Sequence, residues 1–284
     1  MNIAIASGKG GTGKTTVAIN LALAVNQNNI DLLDCDVEEP DAHLFLKPNF
    51  DFKKEVGIPV PVIDLEQCTF CGRCAEVCAF NAIAVLKDQV MVLEELCHGC
   101  GSCAYFCPEQ AISEHERPIG ILESGHAGNI KFGHGCLNPG EAMSPPLIDA
   151  VKKLSRPGRV TIIDAPPGTS CPVVSAVSGC DYCLLVTEPT PFGLHDLDLA
   201  SQMIKKLNIP AGVIINRSDV GDGRVEEYCR DQGLPVLQKI PFDRELARLY
   251  ARGEPVVLNN PHWQMIFEEL FRRIAASCKG VSGS

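Results

Sequence analysis

The sequence predicts an α/β fold: a doubly wound, mostly parallel sheet of about seven strands, with a smaller α+β unit inserted after the second strand. Three observations carry this. Short apolar runs recur between stretches of helical periodicity. Several runs close on glycine-rich or acidic loops, the edge where such a sheet collects ligand chemistry. A cysteine-rich stretch of a different rhythm separates the second run from the third. The chain has 284 residues, 45% of them hydrophobic, enough core for one large or two ordinary domains. Its net charge of −10 argues against a nucleic-acid binder. No apolar run reaches the ~18 residues of a membrane span, so a membrane role is not expected. The first strand starts at Asn2, leaving no room for a signal peptide, so the expected location is cytoplasmic. Disulfides are rare there, and fifteen cysteines point to metal or redox chemistry. Only the tail Lys279–Ser284 reads as disordered.

The first strand (residues 2–6) runs into Ser7–Thr16, SGKGGTGKTT, and then a helical pattern over Val17–Val25. Gly8, four residues, Gly13, Lys14 and Thr15 fit the P-loop spacing G-x-x-x-x-G-K-[ST]. Gly8, Gly10, Gly11 and Gly13 let the amides of the loop, with those of Thr12 and Thr16, converge on phosphate oxygens at a helix N-terminus. Lys14 would reach the β- and γ-phosphates, and the Thr15 hydroxyl would ligate Mg²⁺. Lys9 is a second lysine inside the loop, where an ordinary P-loop needs none. With it the stretch resembles the deviant P-loop ATPases of the MinD, Mrp and nitrogenase-iron-protein group, signature KGGxGK[ST]. The resemblance implies that Lys9 touches ATP across the interface of a homodimer.

The second strand (30–33) ends in Asp34-Cys35-Asp36-Val37-Glu38-Glu39-Pro40-Asp41. By resemblance this is switch I, and Asp36 orients or activates the attacking water. Asp34 and Asp41 are candidate Mg²⁺-shell or switch residues. Leu44–Pro48 ends a short helix, and Pro59 and Pro61 mark a boundary.

Cys68-x-x-Cys71-x-x-Cys74-x-x-x-Cys78 follows, and 29 residues later Cys97-x-x-Cys100-x-x-Cys103-x-x-x-Cys107-Pro108. The blocks CTFCGRCAEVCAFNAI and CHGCGSCAYFCPEQAI are identical at eight of sixteen positions, an internal repeat. This is the bacterial ferredoxin spacing for two [4Fe–4S] clusters, in which each run's fourth cysteine ligates the other cluster. Cluster one takes Cys68, Cys71, Cys74 and Cys107; cluster two takes Cys97, Cys100, Cys103 and Cys78. Ala79 stands where the pattern has proline. Zinc is the competing occupant, for which three-plus-one spacing is poor. The expected domains are residues 1–58 with 117–284, the P-loop ATPase, and 59–116, the insert. Val60–His115 holds eight acids and two bases, −6 of the total −10. That charge suits a basic docking patch on a partner, or simple solubility.

The α/β rhythm resumes with a strand at 119–122, a loop Glu123–Gly140 and a helix from about Ser144 to Leu154. The strand 160–163 closes on Asp164-Ala165-Pro166-Pro167-Gly168-Thr169. Asp164 is a Walker-B-like aspartate that would hold the Mg²⁺ shell. DxPPGT resembles switch II of the same group, where the glycine, here Gly168, senses the γ-phosphate. Further strands are expected at 182–186, 212–215 and 236–240. By resemblance Asn216 binds the adenine, and the segment Pro241-Phe242-Asp243 lies beside it. The last helix, His262–Ala276, balances Glu268 and Glu269 against Arg272 and Arg273, which favours docking on the domain over lying on a membrane.

Of the remaining cysteines, Cys35, Cys180, Cys183, Cys229 and Cys278 read as small buried apolar residues. Cys136 and Cys171 are spaced about Asp164 as the two cluster cysteines of the nitrogenase iron protein are about its switch II aspartate. The resemblance implies a third metal site or a bridging cluster at the dimer axis. Over nearly its whole length the chain resembles MinD-superfamily ATPases carrying an inserted ferredoxin. The implied activity is hydrolysis of ATP to ADP and phosphate, slow without a partner. ATP-driven dimer closure would gate electron transfer through the clusters to an acceptor protein. Two alternatives stay open: assembly or carriage of iron–sulfur or other metal clusters, and redox-sensing positioning or regulation. Some relatives of this kind are associated with small molybdenum-binding proteins.

Overall fold

The computed structural model describes residues 1–25 and 29–281. In chain order the elements begin β1 (Asn2–Ala6), α1 (Lys14–Ala24), β2 (Ile30–Asp34), α2 (Ala42–Leu46) and β3 (Asn49–Ile63). A compact stretch follows: α3 (Arg73–Glu76), β4 (Ile83–Val85), β5 (Val90–Val92), a 3₁₀ turn at Glu94–Leu96 and α4 (Ser102–Tyr105). Then come β6 (Ile112–Ala127), β7 (Ile130–Leu137), α5 (Pro145–Lys152), β8 (Val160–Asp164), α6 (Cys171–Val177) and β9 (Tyr182–Thr187). The chain closes with α7 (Pro191–Lys206), β10 (Ala211–Asn216), α8 (Arg224–Asp231), β11 (Val236–Ile240), α9 (Arg244–Ala251), α10 (Val256–Asn259) and α11 (Pro261–Val281).

Nine strands form one sheet in the order β11-β10-β9-β1-β8-β2-β7-β6-β3. The seven from β11 to β7 run parallel; β6 and β3 are antiparallel additions at one edge. Alternate residues feed the two faces. Ile3, Ile5, Leu32, Ile162 and Ile214 pack under α1 and α11, while Ala4, Ala6, Leu33, Ile163 and Val213 pack against α5 to α8. Trp263, Phe267, Leu270 and Ile274 bury one stripe of α11 on that first layer, so the last helix docks on the domain.

Three expectations are corrected. The run at 119–122 is the middle of the long antiparallel β6, not a short parallel strand. The seventh parallel strand is β7, inside the stretch expected to be a loop. Glycines hid it: a Cβ on Gly135 would stand 2.8 Å from both Leu147 and Val37, so the strand trades apolar side chains for close approach of α5. Pro59 and Pro61 do not end an element, because β3 runs through both. As the last strand of the sheet, β3 loses no ladder bond on its open side. The tail also differs from expectation, since α11 continues to Val281; residues 282–284 lie outside the described residues.

The ribbon of β3 and β6 pairs from Asn49↔His126 to Ile63↔Ile112. The stretch 64–111, with all eight cysteines of the repeat, sits at its far end. The ribbon thus joins this stretch to the sheet through β7, the neighbour of β2.

Candidate nucleotide site and cysteine cavities

The carboxyl ends of β1, β2, β8, β10 and β11 converge on a cleft with a cavity volume of about 390 Å³. Gly10, Gly11, Gly13, Lys14, Thr15 and Thr16 form its floor. Gly13 caps α1 at φ 97°, a left-handed conformation that glycine adopts without strain. The Lys14 side chain is thereby fed into the interior, and the residue is 6% exposed. Asp36, Asp41, Pro167, Asn216, Pro241 and Asp243 complete the wall.

Asp36, Asp41 and Asp164 gather around Lys14 and Thr15, with Asp34 behind them. Asp34 and Asp164 are paired in register on β2 and β8 and are fully buried. Asp34 accepts three backbone N–H bonds, from Asp36, Asp41 and Ala42, each 3.1 Å. It therefore shapes the loop that presents Asp36 and Asp41. Burial, and then the neighbouring Asp164, push the Asp34 carboxyl well above its ordinary value. Burial lifts Asp164 to about 7, against the pull of Thr15 and Lys14. Burial likewise lifts Asp36 to about 6, against Lys14. Asp41, raised by burial, faces the hydroxyls of Thr15 and Tyr250. Both oxygens of Asp164 are buried without an aligned hydrogen-bond partner. A divalent cation beside Thr15 would satisfy that deficit, so this donor set fits Mg²⁺.

Of the other expected site residues, Lys9, Gly8, Thr12 and Gly168 lie outside the cleft wall, while Asn216, Pro241 and Asp243 line it. Lys9 pairs with Glu188 at 3.6 Å rather than reaching into the cleft. Gly8 abuts the backbone of Asp196. The Gly168 amide donates to the Ser7 carbonyl at 3.0 Å, tying the loop after β8 to the start of the P-loop. Asn216 Nδ2 donates to the Thr12 carbonyl at 2.8 Å and braces the P-loop from the next strand but one. The Thr12 hydroxyl is buried without a partner. Asp243 caps α9 by accepting from the Glu245 amide at 2.7 Å, and Pro241, two residues before it, follows β11 directly. Phe242, in the segment expected beside the base, also lines the cleft; Tyr250 and Arg217 line it too and were not foreseen. Tyr250 lies more than 230 residues from the P-loop, with no local pattern to announce it.

The eight repeat cysteines sort into two cavities. Cys68, Cys71, Cys74 and Cys107 line one, beside Ile63 and Ile112 at the tip of the ribbon. Cys78, Cys97, Cys100 and Cys103 line the other, beside Pro59 and Pro61. Three sulfurs accept backbone N–H groups: Cys68 from Phe70 at 3.4 Å, Cys97 from Gly99 at 3.4 Å, and Cys78 from Ala82 at 3.3 Å. No disulfide joins any of the fifteen cysteines. Among the described residues no three His, Cys, Asp or Glu side chains stand close enough to hold one metal ion. Cys136, on β7, and Cys171, opening α6, are both exposed. Cys35, Cys180, Cys183 and Cys229 are buried, as expected of small apolar side chains, whereas Cys278, expected to be buried with them, is half-buried on α11.

A P-loop at the switch edge of a parallel sheet, with buried lysine and carboxylates, defines a nucleotide-binding protein of the α/β class. The family model described as the CobQ/CobB/MinD/ParA nucleotide binding domain matches residues 3–256, and the chain belongs to that family. An uncharacterized protein of Methanocaldococcus jannaschii is 33% identical over 264 residues, covering 92% of this chain and 93% of its own. An iron-sulfur cluster carrier protein of Pyrococcus furiosus is 27% identical, covering 99% of this chain and 88% of its own. In fold, the chain is similar to the septum site-determining protein MinD of Pyrococcus horikoshii, solved with Mg-ADP. The TM-score is 0.59 at 21% identity, covering 96% of this chain and 95% of that one. Among the described residues, no helix is long and apolar enough to cross a membrane.

Proposed function

We propose that this chain is a cytoplasmic ATPase whose nucleotide cycle gates electron transfer through two [4Fe–4S] clusters to a partner protein. One observation carries the reading. The two interleaved cysteine sets expected from the repeat, three from one run and one from the other, each line a single cavity. Each thiolate of a cubane binds its own iron, so the four sulfurs stand farther apart than around one zinc ion. The N–H groups of Phe70, Gly99 and Ala82 donate to sulfurs that would become ligands. Bound clusters would supply one-electron chemistry at low potential.

In this reading residues 59–116 form the ferredoxin unit, and residues 1–58 with 117–284 form the ATPase. Lys14, Thr15 and Asp164 hold Mg·ATP. Asp36, lifted to about 6, accepts a hydrogen bond from the attacking water and can take its proton near neutral pH. Asn216, Pro241 and Asp243 frame the base. Gly168 leaves the Ser7 carbonyl when a γ-phosphate arrives, and Lys9 crosses to the partner's nucleotide in a closed homodimer. Cys136 and Cys171 would meet their counterparts at that interface and form a third metal site. Nucleotide affects the ferredoxin unit by stabilising one arrangement of the switch loops over another.

A second reading is cluster assembly or carriage, favoured by the likeness to the iron-sulfur cluster carrier protein of Pyrococcus furiosus. In it the cluster is cargo rather than a resident group. The test uses anaerobically reconstituted protein, given either an apo-acceptor or an oxidised redox partner, with and without ATP. About eight iron atoms per chain are expected. ATP-dependent oxidation with iron retained supports gating; ATP-dependent iron loss to the acceptor overturns it for carriage. A chain that binds no iron defeats both. More than about eight iron atoms, falling when Cys136→Ser and Cys171→Ser are combined, supports the third site.

A further inference from the structure

Glu188 follows β9, whose neighbours in the sheet are β1 and β10. The loops after those two strands carry Lys9 and Arg217. Lys9 Nζ lies 3.6 Å from Glu188 Oε2, and Arg217 Nη1 lies 3.0 Å from Oε1. The carboxylate side chain is only 11% exposed, against 33% for Lys9 and 51% for Arg217. Glu188 Oε1 has no aligned hydrogen bond despite the nearby guanidinium, so the contact is ionic and incompletely satisfied. One buried carboxylate thus holds two cations and leaves the trio with a surplus positive charge. A polyanion entering this edge of the sheet competes directly with Glu188 for both.

We propose that Glu188 is a positioning residue that parks Lys9 within its own subunit until a triphosphate displaces it. The inference rests on the paired-ATPase reading above, which requires Lys9 to leave its subunit. Parked, Lys9 is unavailable to a neighbouring chain; released, it carries its charge outward. Arg217, at the cleft wall, is the second cation freed in the same event. The clamp makes subunit pairing depend on nucleotide, because an empty cradle offers nothing to outcompete the carboxylate.

Two measurements test this. Zero-length carbodiimide coupling of the nucleotide-free protein, followed by peptide mass spectrometry, should yield an intrasubunit Lys9–Glu188 link. The link should vanish when Mg·ATP is added to the slowly hydrolysing Asp36→Asn variant. Absence of the link in the free protein, or its persistence with ATP, overturns the proposal. In sedimentation velocity, Glu188→Gln should pair at about tenfold lower ATP than the unaltered chain, as expected when a competing ionic contact is removed. That shift should disappear in a Lys9→Ala background; where the unaltered chain pairs with ATP, a shift that persists in that background, or no shift at all in Glu188→Gln, overturns the positioning role. If the link forms and ATP breaks it, yet no chain pairs, the clamp stands and the paired-ATPase reading falls.

Discussion

The nucleotide cradle and the cysteine-rich stretch both gather groups that need a positive ion, but they are built in opposite ways. The cradle is finished before any ligand arrives. Asp34 is fixed by three amides, Lys14 is fed inward by Gly13, and β2 beneath is buried along its whole length. Between residues 64 and 111 the helices are four residues long and the strands three. Buried apolar residues there are limited to Ala82, Ile83, Cys97 and Ala111, while Leu65, Leu86, Leu96, Tyr105 and Phe106 stand exposed. A unit of this size with so little core needs staples, and free thiols are its only candidates. The contrast teaches that packing pre-organises one site, whereas the other is completed by what it binds.

The largest expected effect lies in the cradle. Lys14→Ala should lower ATP hydrolysis by at least about 100-fold in a phosphate-release assay, without lowering iron content. Loss of iron along with activity would break the separation of the two regions. Next, stripping iron from reconstituted protein should speed proteolysis within 64–111 by about tenfold or more, with little change in the melting of the rest. Equal resistance with and without metal would show that the stretch is stapled otherwise. On the packed side, Leu270→Ala should cost about 2–5 kcal/mol by denaturant unfolding and leave iron untouched.

Much of this contrast is legible in the sequence, for physical reasons that differ between the regions. A P-loop is local: ten consecutive residues carry both the turn and the chemistry, so spacing alone reveals it. The cysteine sets are not local, since each spans both runs, but duplication makes the interleaving readable. Antiparallel β6, glycine-rich β7 and proline-bearing β3 escape the pattern because close approach and an edge position replace apolar alternation. Glu188, Arg217 and Tyr250 join the site only through strand order and helix packing. No window of sequence brings them together.

The smallest effect sharpens the electrostatic side of the comparison. Burial raises Asp164 from 3.8 to about 7 and Asp36 to about 6. Between those values and the unfolded range the folded chain binds more protons than the unfolded one. The nucleotide-free protein should therefore lose stability as pH rises from about 4 to 7. Asp164→Asn should remove part of that loss, raising stability near neutral pH by about 1–3 kcal/mol while abolishing Mg²⁺-dependent nucleotide binding. Thermal melts across that range, with and without Mg·ADP, read both. An unchanged slope would place the proton uptake on other groups.

β3 leaves fifteen residues of backbone open along one side of a nine-stranded sheet, an invitation for another chain to hydrogen-bond and continue it. Lys53, Lys54, Pro59 and Pro61, with register breaks at Phe50/Phe52 and Val56/Gly57, make that border a poor template. The same strand that extends toward the cysteines therefore protects the molecule from polymerising edge to edge at high concentration.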